Sequence, residues 1–310
     1  MVRGLRLVPA NTTIPFTAWR KVFFAFSAAL VAGSIALFAI KGLNYGIDFR
    51  GGILLDVRTE GPADLATMRS ALSGLGLGEV ALQEFGEADT VLIRLQEQDG
   101  GEEAQQAAVA LVKEALGPGV EYRRTEFVGP KVSEELFWDG IYAVGAAMIA
   151  IMVYVWFRFE WQFGLAAVIA LLHDVLSTIG LFALLGLEFN LSTVAAVLTI
   201  AGYSINDTVV VFDRVRENLR RYKTLPLPEV LDISNNATLS RTLITGLTTL
   251  LALLSLYFLG GEVIRGFSLA MIWGVLIGTY SSVCLAVPLL LYLNLRRQSP
   301  AKDKAIEEAP

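Results

Sequence analysis

The sequence predicts an α-helical membrane protein of six spans, with an extracytoplasmic ferredoxin-like α+β domain of βαββαβ order inserted between the first span and the second. Three observations carry this prediction. Hydrophobic residues make up 54% of the 310 residues, charged residues only 18%, and mean hydropathy is +0.56, which lies outside the ordinary soluble range. Six apolar stretches are long enough to cross a hydrocarbon core of about 30 Å. Between the first two, the hydrophobic period changes to that of short strands and amphipathic helices.

Residues 1–21 form an N-terminal segment, and span one occupies 22–40. Arg20 and Lys21 before an apolar run could mark a cleaved signal peptide, but the run is longer than a signal core and Lys41 follows it directly. An uncleaved anchor is expected. In the inserted domain, 41–137, a strand at 53–58 leads to a helix at 62–75. Strands at 80–85 and 91–95 follow, then an amphipathic helix at 102–116 that stops at Gly117-Pro118-Gly119, and an extended segment at 120–127. This is the split βαβ order of ferredoxin-like domains, a small sheet with two helices on one face. Such a domain is a scaffold and does not by itself name a function.

Residues 138–295 hold the remaining spans, at 141–157, 163–185, 191–212, 242–259 and 267–293, the first of these being the shortest. The stretch 225–240, with Pro226 and Pro228, reads as a cytoplasmic loop or surface helix before span five. Residues 296–310 form a cytoplasmic tail with too few apolar residues from 298 onward to fold alone.

Lysine and arginine near the span ends set the orientation. Arg3, Arg6, Arg20 and Lys21 precede span one, Arg214, Arg216, Arg220, Arg221 and Lys223 follow span four, and Arg296 and Arg297 follow span six. All are expected in the cytoplasm, which is consistent with six spans and two cytoplasmic termini. The inserted domain then lies outside the membrane's cytoplasmic face, with nine Lys and Arg against seventeen Asp and Glu. The single cysteine, Cys284, is in span six, so no internal disulfide is expected, and a small packed residue is its simplest role.

The most informative residue is Asp207, a carboxylate well inside span four. A charge at membrane depth costs from about 2.5 to above 10 kcal/mol and typically belongs to an ion or proton path. Helical spacing puts Ile200, Tyr203 and Ser204 on its side of the helix, with Thr193 and Ala196 further along, and Leu198, Ile205, Val209 and Phe212 opposite, toward lipid. The bland alternative is a carboxylate reaching the cytoplasmic interface, since Asp213 is six residues away. On span five, Arg241, Thr245, Thr248, Ala252 and Ser255 form one stripe, and Arg241 at comparable depth could pair with Asp207. Arginine keeps its proton in proteins, so only the carboxylate of such a pair could carry one. Arg241 could instead be an anchor to lipid phosphate.

Span three adds His173, the only histidine, and Asp174, with Ser177 and Thr178 one turn on. Adjacent residues point about 100° apart on a helix, so His173 and Asp174 do not by themselves make a metal pair or catalytic dyad. Asp174 reads as a second relay or a structural hydrogen-bonding group, and His173 as a core residue or relay. Span six carries Gly266, Ala270, Gly274, Gly278, Ser282 and Ala286 at steps of four, a seam for close helix packing. No phosphate-binding loop, zinc-protease motif or cysteine cluster occurs, so ATP use and metal catalysis have no support and no enzyme activity is expected. One large outer domain and six spans look like one half of a duplicated transporter, whose coupling site would need a partner half.

Tyr45, Gly46, Ile47, Asp48, Phe49, Arg50, Gly51 and Gly52, just after span one, resemble a signature of the SecD/SecF family of bacterial protein-export membrane proteins, within the resistance-nodulation-division superfamily. The run AGYSINDTVVVFDRVREN at 201–218 is similar to the family's fourth-helix motif, and His173, Asp174 and Val175 to its third. The resemblance covers almost the whole chain. It implies a SecF-type subunit working with SecD in the cytoplasmic (inner) membrane, assisting late preprotein translocation through the SecYEG channel at the expense of the proton gradient. It further implies that Asp207 and Arg241 are the proton-path carboxylate and its arginine, with Asp174, His173 and Asp213 as further candidates. Gly51 and Gly52 sit in the signature turn, where glycine supplies unusual dihedrals. The expected partners are SecD, SecYEG, the translocating preprotein and membrane lipid, with no nucleic acid; no cofactor is expected beyond protons as the coupling ion. Half of a proton-coupled exporter of lipids or small molecules is the alternative, and a purely structural membrane scaffold is a third reading.

Overall fold

The structure, a computed structural model, describes residue 9 and residues 12–78, 80–293 and 295. The expected tail at 298–310 and the cations Arg3, Arg6, Arg296 and Arg297 lie outside the described residues. The chain forms two compact units, one built from Asn44–Ala143 with Glu188–Val194, the other from the remaining segments.

In chain order, α1 is Arg20–Lys41, β1 is Asn44–Tyr45 and α2 is the single turn Ile47–Arg50. There follow β2 (Gly52–Thr59), α3 (Leu65–Ser73), β3 (Val80–Phe85), β4 (Glu87–Leu95), α4 (Gly101–Leu116) and β5 (Val120–Val128). Then come α5 (Pro130–Arg158), α6 (Trp161–Leu185), β6 (Glu188–Phe189), α7 (Leu191–Arg221), α8 (Leu227–Leu259) and α9 (Glu262–Tyr280). Beyond α9 the helical path continues through a π-helical stretch, Ser281–Ala286, and ends in a 3₁₀ turn at Leu290–Tyr292.

In the inserted unit, β2 to β5 form one antiparallel sheet in the order β3-β4-β2-β5. One face of β2 builds the core: Ile53, Leu55 and Val57 are fully buried and meet Val91, Ile93 and Leu95 of β4. Each such side chain contributes about 1.5–3 kcal/mol when withdrawn from water. Met68 and Leu72 of α3 and Ala108 and Val112 of α4 cover the same face, so both helices lie on one side of the sheet. Pro62 stays outside α3, which starts at an N-cap, Asp64, whose carboxylate accepts from the Ala66 and Thr67 amides at 3.0 and 3.1 Å and from the Thr67 hydroxyl at 2.7 Å. Those hydrogen bonds, the Thr67 hydroxyl first, hold the Asp64 carboxyl below the usual carboxylate range. The parallel pair β1–β6, which the sequence reading did not contain, joins the chain just after α1 to the chain just before α7.

The six helices α1, α5, α6, α7, α8 and the run from α9 to Tyr292 are all long and apolar enough to cross a membrane. The interior is formed chiefly by α6, α7 and the last helix, whose apolar windows are half buried or more, while α1, α5 and α8 are peripheral. Close approach follows small residues: Ser34 of α1 packs onto Gly180 of α6, and Ile200 of α7 onto Gly274 of α9, where a Cβ on either glycine would collide. One end of the bundle is closed by Phe159, Phe163 and Phe212, with the Phe163 and Phe212 rings 5.1 Å apart.

Several boundaries differ from the sequence reading. The stretch 225–240 is neither a loop nor a separate helix but the first four turns of α8, with Pro226 as N-cap and Pro228 in the first turn, where a missing amide costs nothing. Helix α7 runs on to Arg221 and α5 begins at Pro130, because polar amphipathic turns extend the apolar windows that the hydropathy count detects. Phe212, expected to face lipid, is fully buried.

Candidate functional site

Asp174 is the most enclosed ionisable side chain in the bundle, with no exposed surface. Three helices satisfy it. The Ser204 hydroxyl of α7 and the Ser281 hydroxyl of the last helix both donate to its Oδ2, at 2.6 and 2.7 Å. Its Oδ1 lies 2.9 Å from His173 Nδ1, so the two neighbours meet after all: 100° of separation at the backbone is closed by the side chains bending together. Because Oδ2 already accepts twice, a carboxylate accepting from Nδ1–H is the consistent arrangement, and this leaves Nε2 of the buried imidazole unpartnered. Ser177 and Thr178 turn back onto the Asp174 carbonyl at 2.9 and 2.8 Å, and Trp273 Nε1 donates to Ser177 at 3.3 Å.

The π-helical stretch begins where this network is anchored. Ser282 Oγ lies 2.8 Å from Thr208 Oγ1, and Asn235 of α8 donates from Nδ2 to the Val283 carbonyl at 3.0 Å. Segments of this kind disrupt the regular ladder and frequently mark functional sites. Here Ser281, Ser282 and Val283 touch α6, α7 and α8 in turn. The sequence seam on span six anticipated Ser282 as packing, and Gly278 indeed gives room for Ser204, a Cβ there coming within 3.2 Å of the Ser204 Cβ. Ser281, Thr208 and Asn235 were missed, although a serine, threonine or asparagine inside an apolar helix is itself a signal for interhelical bonding.

Asp207 follows Ser204 by three residues and is 2% exposed, so it faces the bundle and does not reach an interface among the residues described. Its Oδ2 has no hydrogen-bond partner. Thr242 of α8 and the charge of Arg241 both act on it, but no Asp207–Arg241 ion pair within 4 Å occurs among the described residues. The expected pairing is corrected by the rotation of α8. Its packed face carries Leu231, Ser234, Asn235, Thr238, Thr242, Gly246 and Leu253, whereas Arg241, Thr248, Ala252 and Ser255 are exposed. The stripe read from the sequence lies about one residue, or 100°, from the one that packs. On α7 a similar exposed line runs through Ser192, Ala195, Thr199, Gly202 and Asn206.

Asp213 does not join these groups. It is 44% exposed and takes a forked bond from Arg158 Nη2, 2.8 and 3.1 Å to its two oxygens. The signature residues belong to the inserted unit. Gly51 and Gly52 have φ of 71° and 111°, and a Cβ on Gly52 would strike the Leu95 carbonyl, so glycine is required where the chain enters β2. Gly46 lets Glu188 approach, with Oε1 2.6 Å from where a Cβ would stand. Asp48 Oδ2 accepts from the Leu191 amide at 2.9 Å, supplementing Asn190, which accepts from the Thr193 amide at 3.1 Å, at the start of α7. Arg50 is exposed. Arg94 of β4 reaches Asn44 Oδ1 and the Tyr45 carbonyl at 3.0 and 3.1 Å, and burial pushes the nearby Glu188 carboxyl up, partly offset by Arg94.

Two family descriptions match the chain: the C-terminal region of the SecD/SecF protein export membrane proteins over residues 108–296, and the SecD/SecF GG motif over residues 36–63. The protein translocase subunit SecF of Rhodobacter capsulatus is 48% identical over 98% of this chain and 96% of its own length, and that of Vibrio alginolyticus 43% identical over 94% of each. Among solved structures, the translocon-associated SecDF of Thermus thermophilus superimposes with a TM-score of 0.86 at 37% identity, covering 94% of this chain. A SecDF structure in a super-membrane-facing form gives 0.67 at 35% identity over 98% of it. The chain spans 40% and 41% of the length of those two structures. Near-full-length identity to curated SecF subunits, together with the matched C-terminal region and glycine signature, establishes that this chain belongs to the SecD/SecF family.

Proposed function

We propose that the chain is a non-enzymatic, proton-driven accessory subunit of the Sec preprotein translocase, acting with a SecD partner in late translocation through SecYEG across the bacterial cytoplasmic membrane. The relatives' role as translocase subunits supports the assignment to this pathway. SecDF chains supply the missing half, and the exposed lines of small and polar residues on α7 and α8 suit a second bundle better than lipid. On the orientation given by arginine and lysine, both termini are cytoplasmic and the inserted unit is outside. Its strand order, with β2 between β4 and β5 and both helices on one face, suits a ferredoxin-like domain that engages SecD and the emerging preprotein.

The single observation that carries the coupling is a buried Asp207 carboxylate with an unpartnered oxygen inside an apolar bundle. Arg241 and Asp207 are close enough to interact but not paired, so protonation changes the balance between them without first having to break a tight ion pair. A proton moving down 100 mV releases about 2.3 kcal/mol, and each pH unit adds about 1.4 kcal/mol. Either is enough to shift a two-state equilibrium by at least about tenfold. His173 and Asp174, the latter bonded by Ser204 one turn before Asp207 on α7, serve the same path as its structural wall; Asp213, in its surface pair with Arg158, serves as a cytoplasmic exit group.

The test is preprotein translocation into vesicles with SecD and SecYEG, with ATP-driven steps held constant and the proton gradient varied. Asp207→Asn is expected to abolish the gradient-dependent increment and Arg241→Met to reduce it sharply. Wild-type stimulation in both variants would leave a structural scaffold as the better reading.

A further inference from the structure

The end of the bundle where α5 and α7 stop carries a concavity of about 530 Å³, lined by Arg158 of α5 and by Asp213, Arg216, Glu217, Arg220 and Arg221 of α7. Four guanidinium groups stand there against two carboxylates, and both carboxylates are already engaged. Asp213 takes the fork from Arg158, and Glu217 accepts from Arg214 Nη1 at 2.8 Å. Arg216, Arg220 and Arg221 have no carboxylate within 4 Å among the described residues. Arg216 donates to the Arg158 carbonyl at 3.4 Å, and Arg221 lies over the Tyr222 ring, 5.4 Å from its centroid. Two helix C-termini meet at this end, and each is equivalent to about half a negative charge. They offset about one of the two excess positive charges, so cations remain that nothing in the chain matches.

Aromatic side chains place the concavity at the level of lipid headgroups. Trp156, Phe157 and Trp161, within three residues of Arg158, are 63%, 94% and 54% exposed, and aromatic rings of this kind gather where a span leaves the hydrocarbon. The apolar window of α5 leading up to them is almost wholly uncovered. We infer that Arg216, Arg220 and Arg221, backed by Arg158, bind the phosphate of an anionic phospholipid whose acyl chains lie along α5. Basic pockets between spans recur as sites for such headgroups, and the guanidinium fork matches two phosphate oxygens. Arg216 and Arg220 are one turn apart, about 6 Å along α7, which lets both reach a single phosphate. A zwitterionic lipid fits less well, because its ammonium would enter a positive pocket whose two carboxylates are taken. An acidic protein segment shares the charge but has no acyl chains to cover the bare face of α5 beside the arginines. The inference is independent of the proton-coupling reading and requires only that the chain spans a membrane.

The test is native mass spectrometry of the delipidated complex of the full chain with its SecD partner, titrated with phosphatidylglycerol, phosphatidylethanolamine or glycerol 3-phosphate. It is run near physiological ionic strength, at which charges more than about 8 Å away are screened. Phosphatidylglycerol should bind as a saturable adduct, and the other two much more weakly. Arg220→Gln with Arg221→Gln should lower its affinity about thirtyfold, about fivefold for each arginine. Both side chains are exposed and hold no carboxylate, so the fold is kept. Arg216→Gln should give a smaller loss in the same direction. Lys21→Gln with Lys41→Gln, which removes two charges at the ends of α1, should leave the affinity nearly unchanged. An equal loss in that control would reduce the pocket to general attraction between basic helix ends and lipid and so overturn the site. Equal affinity for the two phospholipids would also overturn it, and glycerol 3-phosphate binding as tightly as phosphatidylglycerol would make it a pocket for a soluble anion instead. If the Arg220 and Arg221 variant binds phosphatidylglycerol like the wild type but separates from SecD, the arginines serve a protein contact and the lipid site is wrong.

Discussion

Two buried carboxylates in one bundle, Asp174 and Asp207, have opposite surroundings. Asp174 accepts from Ser204, Ser281 and His173 and is sealed from solvent on α6, whereas Asp207 on α7 has an oxygen with no partner and a cation that acts on it without pairing. A carboxylate held by several donors ties together the elements that supply them. A carboxylate left partly unsatisfied loses little by accepting a proton. On the proposed coupling, the hydrogen bonds around a buried carboxylate, and not its burial alone, set the proton-carrying group apart. In that scheme Asp174 is the fastener and Asp207 the moving part, and Ser204, three residues before Asp207, is bonded to the fastener.

The largest effect that would break this contrast is on stability. Asp174→Ala strands His173 and two serine hydroxyls without their acceptor, and loss of such a buried network costs about 3–5 kcal/mol. Denaturation of the detergent-solubilised complex should show it, and a loss below 1 kcal/mol would remove Asp174 from the role of fastener. Asp207→Asn should do the reverse: stability close to wild type, since a poorly satisfied charge is removed, with gradient-driven translocation lost. A severe loss of stability in that variant would mean that Asp207 is a fastener too. Between these lies Ser281→Ala, which deletes one of the three donors and the link between Asp174 and the π-helical stretch. A hydrogen bond to a charged group contributes about 1.5–3 kcal/mol, so a melting shift smaller than that of Asp174→Ala is expected.

The two sites were not equally legible in the sequence. Asp207, Asp174 and His173 stand out because ionisable residues in apolar helices are rare, and period and hydropathy alone place all six spans and the strand–helix alternation of the inserted unit. The partners were harder to read. Spacing along α8 offers two polar stripes a single residue apart, one through Arg241 and Thr248, the other through Ser234, Thr238 and Thr242, and only the packing against α9 decides that the second is inside. Likewise nothing in the run Ser281–Ala286 marks it as π-helical, because the wider turn is imposed by bonds to Asp174, Thr208 and Asn235, residues 48 to 107 positions away in the chain. The β1–β6 pair is too short to leave a period at all.

Glu188 sharpens the comparison with the smallest effect, because it is a partly buried carboxylate outside the spans with a cation near it but no fastening role. Burial raises its folded pKa above the unfolded value and Arg94 only partly reverses this. For a raised carboxyl the native state binds the proton more tightly than the unfolded chain does, so Glu188 favours folding when protonated. That contribution is fully present below the unfolded pKa and is lost as pH rises through the folded one. Glu188→Gln should accordingly flatten the decline in stability with rising pH while leaving stability at acid pH nearly unchanged. An opposite slope, with the wild type gaining stability over the variant as pH rises, would mean that Arg94 outweighs burial there. A cation held near a carboxylate without a direct ion pair would then be enough to keep it charged, and the same argument would transfer to Arg241 and count against Asp207 as the group that takes up the proton.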